Sequence, residues 1–555
     1  MKVHSWRTLS LLVVVLFISA LYLYVFPSPT LIYIGVVLLH AGIGVLAVLF
    51  LIPRLLEIVR RQDLGWLFIT GGAATGIVLL IVGTPRPFWN WMYLHIALSF
   101  AGVAFLAARW AGSKGWWAAG TGATLLRYGV CLVLAATLGI EGSHIRQGRW
   151  LHAHNISNPI SPPASMDGEG DGPNGLFFPS SAQTAHQGQI PSKYFMESDA
   201  CERCHHDIYQ QWNSSMHHFS SFNNQWYRNS IEYMQDVVGV KPSKWCAGCH
   251  DPALLYSGMF DTPIKQIVDR PEARAGLGCM MCHSIAHVKS TMGQGDFMLE
   301  YPKLHELAAS KNPAVRWLHD YVVKLNPEPH RRVFLKPFMR NQTAEFCSSC
   351  HKVHLDVPVN HYRWIRGFND YDNWQASGIS GFGARSFYYP PKPQQCADCH
   401  MPTVKSADKG AINGFIHSHA FPAANTAVPM ANEDSAQLKL SEEFLKGAVT
   451  VDIFAISPAA PKRRGASLPN TELSTTFAVG EEADTPTPQA DAGPAAPVSA
   501  PLNRIGAAVR RGDTVLVDVV VRTRKVGHFF PGGTVDAFDT WVDLKATDDQ
   551  DRVIF

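Results

Sequence analysis

The sequence predicts a chain of three unlike parts: an all-α transmembrane bundle, a mainly α and irregular domain built around cysteine–histidine units, and a partial β-sandwich. Three observations predict it. Long apolar runs fill residues 1–143, ten of the eleven cysteines fall within residues 195–435, and β-branched residues gather after residue 440. A chain of 555 residues is long enough for several domains. Its net charge of +3 points to neither nucleic acid nor an acidic partner.

In the first part, five apolar runs span about Leu9–Phe26, Leu31–Ile52, Trp66–Val82, Trp91–Ala108 and Trp116–Ile140. Each is near the length that crosses a bilayer. Lys2 and Arg7 precede the first run, Arg54, Arg60 and Arg61 follow the second, and Arg109 and Lys114 follow the fourth; the other connections hold Arg86 or nothing. That alternation predicts a cytoplasmic N-terminus, with everything after residue 143 on the outer, periplasmic side of a bacterial inner membrane. Read instead as a signal peptide cleaved near Ile18-Ser19-Ala20, the first run leaves four spans and the same outer placement. His40 and His95 lie inside two spans at depths that agree within about 5 Å. Intramembrane ionisable residues are functional candidates. The pair is expected to clamp a haem of b type near the outer face, with Arg86 at its propionates; the alternative is that each histidine bonds a neighbouring helix. Arg127, in the fifth run, would pair with a propionate or a quinone, or snorkel inward.

Residues 144–194 read as a linker, rich in Ser, Pro, Gly and Asn from about 155 to 192. Residues 195–435 then hold five Cys-x-x-Cys-His units: Cys201/Cys204/His205, Cys246/Cys249/His250, Cys279/Cys282/His283, Cys347/Cys350/His351 and Cys396/Cys399/His400. This spacing lets two thiols bond the two vinyl groups of a haem while the adjacent histidine binds its iron from below. A zinc site has no need of a histidine after every pair and usually takes two pairs per ion. Five covalent c-type haems are the expectation, making this a multihaem cytochrome c domain. Helical patterning marks Leu304–Ser310 and Pro313–Leu325. Cys131, in the fifth apolar run, reads as a small buried hydrophobe.

Each iron has a sixth position. A histidine there makes an electron carrier, and an empty position makes a substrate site. The candidates for that position are His217, in Tyr209-x-x-Trp212-x-x-Ser215-x-His217, with His287, His330, His354 and His419. A histidine close to its own unit cannot easily reach over the same ring, so His354 is expected to serve a neighbouring haem.

Residues 440–555 change character. Ala448–Ile456 and Asp513–Thr523 read as strands, and Thr540–Ala546 with Arg552–Phe555 as strand, turn, strand. A small β-sandwich is expected, interrupted by a Pro/Ala-rich insert at 457–505 and cut short at the C-terminus. His528, in Gly527-His528-Phe529-Phe530-Pro531-Gly532, reads as a turn residue ahead of a haem ligand.

Ala200-Cys201-x-x-Cys204-His205, the run through His217, and Cys396-Ala-Asp-Cys399-His400-Met401-Pro402 resemble the multihaem cytochrome c family that includes the tetrahaem cytochromes of nitrifiers and, more distantly, hydroxylamine oxidoreductase. The resemblance covers about 240 residues and implies that His217 is a distal ligand. The tail stretch around His528 resembles one that follows haem domains in related multihaem proteins. All five units end in histidine, whereas nitrite reductases of this superfamily carry a lysine in the catalytic unit. A second departure concerns the hydroxylamine enzymes, which have more haems and a tyrosine cross-link. Neither activity follows from the likeness.

The leading expectation is an electron-transfer protein linking the quinone pool to a periplasmic or extracellular redox protein. Two others stand beside it: an oxidoreductase acting on a small nitrogen or sulfur compound at a five-coordinate haem, and the haem subunit of a larger respiratory complex.

Overall fold

The structure is a computed structural model that describes residues 2–113, 138–159, 161, 163–354, 369–383, 390–459, 497–533 and 540–555. The expected fifth span, Arg127, Cys131 and most of the Pro/Ala-rich insert lie outside the described residues. Five helices open the chain: α1 (Lys2–Val25), α2 (Leu31–Leu51), α3 (Leu55–Arg61), α4 (Leu64–Val82) and α5 (Trp89–Ser113). Their ends follow local chemistry. Thr30 caps α2 by accepting from the Tyr33 amide, and Asp63 caps α4 by accepting from the Trp66 amide. Gly83, at φ 77°, ends α4 in a conformation that a side chain would resist.

Four stretches, Trp6–Val25, Leu31–Arg61, Leu64–Val82 and Arg86–Ser113, are long and apolar enough to cross a membrane. Leu11, Leu31, Ile32 and Leu56 point outward and stay exposed, the reverse of a water-soluble bundle. Small residues bring α4 and α5 together. A Cβ on Gly102 would come within 2.8 Å of Ile69, and one on Gly72 would collide with Ser99. Close backbone approach through small residues is how helices associate where water gives no hydrophobic drive.

The motif-bearing domain sits on one end of this bundle. Helix Pro313–Leu325 carries Tyr321, whose hydroxyl donates to Leu80 O at 3.0 Å, and Lys324, whose Nζ donates to Ile81 O at 2.6 Å. Thr84 Oγ1 donates to Leu325 O, and Asn326 Nδ2 donates to the Tyr33 hydroxyl, each at 2.8 Å. Asn312 caps that helix and Pro313 fits its first turn, as the patterning predicts. The other expected helix shortens to His305–Ala308.

The largest core gathers Tyr194, Phe195, Leu254, Tyr256, Phe260 and Phe297. Ile156, Phe177 and Ile190 belong to the same core, so the segment expected to be a linker is packed. Within it, β1 (Gln183–Thr184) pairs in parallel with β3 (Phe297–Leu299), which pairs antiparallel with β2 (Ile285–Val288). Residues 138–153 are helical and lead into it. Four of the five motifs lie in helices, at Val240–His250, Cys279–His283, Thr343–His351 and Cys396–His400, while Cys201 lies in the short helix Ser198–Glu202 and Cys204 and His205 follow it. A helical turn puts residues three and four apart on one face. Both thiols and the histidine can therefore address one ligand.

Strands β4 (Thr403–Lys405) and β5 (Phe415–His417) form a small hairpin ladder, and β6 (Val449–Pro458) pairs antiparallel with β7 (Val515–Thr523). Residues 546–555 fold back around Asp548, but where strand, turn, strand was expected they form one isolated bridge, Thr547 to Val553. The β-sandwich is a correction: among the described residues no second sheet packs on the β6–β7 ribbon, and Val451, Ile453, Leu516 and Val521 remain exposed. The strand also runs to Pro458, two residues into the expected insert.

Candidate functional site

The structure organises its histidines in facing pairs. With metal–imidazole bonds of about 2.0–2.1 Å, two imidazoles on opposite sides of one metal put their ring centres roughly 6.3 Å apart. His205 faces His330 at 6.3 Å, His283 faces His419 at 6.4 Å, His351 faces His217 at 6.3 Å, and His400 faces His528 at 6.1 Å. In the bundle, His40 on α2 faces His95 on α5 at 6.5 Å. The ring planes differ. Three pairs are near parallel, at 14°, 23° and 16°, whereas His217–His351 stands at 78° and His40–His95 at 88°.

Hydrogen bonds fix the tautomers. Nδ1 of His250 lies 2.8 Å from Ser220 O, that of His400 2.8 Å from Pro422 O, and that of His283 2.5 Å from Phe334 O. His205 Nδ1 lies 2.8 Å from the buried Asp408 carboxylate, and His95 Nδ1 2.8 Å from Gly72 O. A carbonyl or carboxylate oxygen only accepts, so each Nδ1 carries the proton. The lone pair then lies on Nε2, free for a metal, which is the usual outer-shell arrangement of ligating histidines. His40 Nδ1 meets Ser19 Oγ at 2.8 Å. Burial first, and the facing histidine second, push His217 and His330 down to about 3 and His419 to about 4. All three are neutral near pH 7, as ligands must be.

One continuous cavity of about 3250 Å³ runs past these pairs, from His40 and His95 in the bundle, by Arg86 and His330, to His400 and His528. A pocket for one small ligand is about 300–1,000 Å³, so this space suits several large groups. All five motifs contribute lining residues. The ten motif cysteines form no disulfides. Among the described residues no three His, Cys, Asp or Glu side chains cluster as a metal-ion site. The donor set, two thiols with one histidine at each motif and, at four of the five, a second histidine across the cavity, fits haem better than zinc. Thiols of different motifs meet: Cys201 with Cys279, Cys249 with Cys350, and Cys347 with Cys396.

His250 differs. Among the described residues it faces no histidine, and its ring stacks on Tyr227 at 4.5 Å and 10°. The Tyr227 hydroxyl donates to Asp251 at 2.5 Å, and burial pushes the Asp251 carboxyl up to about 7.

Two sequence candidates sit elsewhere. His354 is buried, with Nε2 2.6 Å from Glu169 Oε1, and so is engaged by a carboxylate supplied by the expected linker. His287 lies half-buried on β2, paired with Met298, and faces no motif histidine among the described residues. His528, read as a turn residue, stands opposite His400 instead. The signal for it was its glycine- and proline-flanked motif, which frees a loop to reach inward.

Residues 200–284 match the family of cytochrome c554 and c-prime. The match covers the first three motifs, a narrower stretch than the resemblance read from the sequence. It implies covalently bound haem c and electron transfer; together with four apolar helices it describes a membrane-anchored cytochrome. No curated protein and no solved structure matches the chain.

Proposed function

We propose that the chain holds five c-type haems and one b-type haem, and carries electrons between the quinone pool and a periplasmic or extracellular redox partner. The observation that supports this most is the set of histidine pairs at one spacing along one cavity. Cys201/Cys204, Cys246/Cys249, Cys279/Cys282, Cys347/Cys350 and Cys396/Cys399 would bind the haems covalently, with His205, His250, His283, His351 and His400 as proximal ligands. His330, His419, His217 and His528 would be the distal ligands, and His40 with His95 would hold the b-type group. Iron between two imidazoles supplies one-electron chemistry without an open coordination position. The protein's part is to fix tautomers, exclude water and hold the sites in a row.

The row does not follow chain order. His330 follows closely on Asn326, which touches the bundle at Tyr33, so the His205–His330 site is the one next to the membrane pair. The thiol contacts then join the first motif to the third, the second to the fourth and the fourth to the fifth. Arg54, Arg60, Arg61 and Arg109 lie toward the bundle end away from the motif domain, which supports a cytoplasmic N-terminus and an outer motif domain.

The test uses the full chain in lipid nanodiscs with a short-chain quinol. Quinol should reduce the wild type, seen in its α-band. His40→Ala and His95→Ala should each lose the acid-acetone-extractable haem and the response to quinol, while dithionite still reduces five c haems. Quinol reduction at the wild-type rate in both variants would sink the quinone link through this pair.

A second reading rests on His250. Among the described residues an iron there would have no histidine on its far side, leaving a position for a small nitrogen or sulfur compound. High-spin iron that shifts on adding nitrite or hydroxylamine would bring this reading forward.

A further inference from the structure

Between the membrane pair and His330 the cavity wall is strongly cationic. Arg86, Arg146, Arg331 and Arg340 line it, with Glu328 among them. Glu328 is already shared by Arg331 and Arg332, at 2.8 Å from the latter. Among the described residues the other three guanidiniums have no carboxylate within ion-pair distance. Arg86 Nη1 and Arg146 Nε are buried without a hydrogen-bond acceptor. Arg146 Nη1 donates to carbonyls at the end of α1. Arg340, on helix Phe338–Asn341, makes no side-chain hydrogen bond or ion pair among the described residues, and it lies close enough to Arg331 and Arg86 to repel both. Burial first, and neighbouring arginines second, hold Arg146 and Arg340 below the usual guanidinium range.

Withdrawing a charge from water without a counter-charge is costly, and arginine forks match carboxylates two bonds at a time. Three such groups around one cavity leave room for anions that the protein itself does not provide. We infer that Arg86, Arg146 and Arg340 form a carboxylate clamp at the membrane boundary, binding the propionates of the haem held by His40 and His95 and of its neighbour held by His205 and His330. The inference rests on the two-histidine reading above. It extends that reading to Arg146 and Arg340, which come from the segment before the motif domain and from its interior. Residues from both parts of the chain would then fix the separation of two redox sites across their junction.

The test compares wild type with Arg340→Gln, Arg146→Gln and Arg340→Lys, purified at full length. Three quantities are read: extractable haem, its midpoint potential by spectral titration, and retained lipid phosphorus. Removing a positive charge beside the carboxylates favours the ferric state. Both Gln variants should therefore lower the potential of the extractable haem and release it more readily on washing, while Arg340→Lys stays near wild type. An unchanged potential in both Gln variants overturns the clamp while leaving the two-histidine reading intact. So does an unchanged potential with loss of bound phospholipid, which would make this an anionic-lipid site. Wild type without extractable haem overturns both.

Discussion

His354 and His528 show how little a histidine's local sequence says about its partner. The first follows its motif closely, yet its Nε2 meets Glu169 at 2.6 Å. The second lies far down the chain, yet it faces His400 at 6.1 Å. A proximal ligand is set within five consecutive residues, so the Cys-x-x-Cys-His units were legible. A distal ligand is set by how separate segments pack, and no local pattern encodes that. Neutral exchange at the two positions separates them. His528→Ala should convert one low-spin haem to high-spin with the haem count unchanged. His354→Ala should leave every spin state alone but cost about 1–3 kcal/mol of stability, the usual penalty for orphaning a buried partner. A new high-spin signal in His354→Ala would reverse the two assignments.

Helix α4 is where an element, not a residue, decides a site. Gly72 offers its carbonyl to His95, and a Cβ on Gly76 would come within 3.1 Å of the His95 ring. The helix thus orients the imidazole and clears its space. Gly76→Val should displace His95 and remove the extractable haem, with five covalent haems retained; normal extractable haem in this variant would mean that the ring needs no such clearance. Four of the five expected spans were readable from length and apolarity, and the matching depths of the two histidines from helical rise. Their mutual approach was not, because it depends on how α2, which carries His40, and α5, which carries His95, pack in space. The junction helix Pro313–Leu325 makes a similar point. Its pattern predicted a helix, but only the fold brings Tyr321 to Leu80. Tyr321→Phe should speed amide exchange across 313–325 without altering haem content, and unchanged exchange would show that this contact does not hold the helix in place.

Across the whole molecule, a chain with a bundle at one end and motifs beyond it shares a cavity of about 3250 Å³ that residues of both parts line. Composition misled in two places. The Ser, Pro and Gly of residues 155–192 hid the buried Ile156, Phe177 and Ile190, which make that segment part of the core. The β-branched tail suggested two sheets where the described residues form a two-stranded ribbon. In both, the packing partner comes from distant sequence. Five histidine pairs each stand ready to hold an iron, while among the described residues His250 faces no second histidine. Electron paramagnetic resonance of the oxidised protein, with haem counted on the same sample, tests it most directly. Near-perpendicular axial imidazoles make a ferric low-spin haem highly anisotropic, whereas near-parallel ones make it rhombic. The oxidised protein should show two highly anisotropic low-spin haems, from His40–His95 and His217–His351, three rhombic low-spin haems, and one high-spin haem. Six low-spin haems would give His250 a partner, and several high-spin haems would contradict the pairing itself.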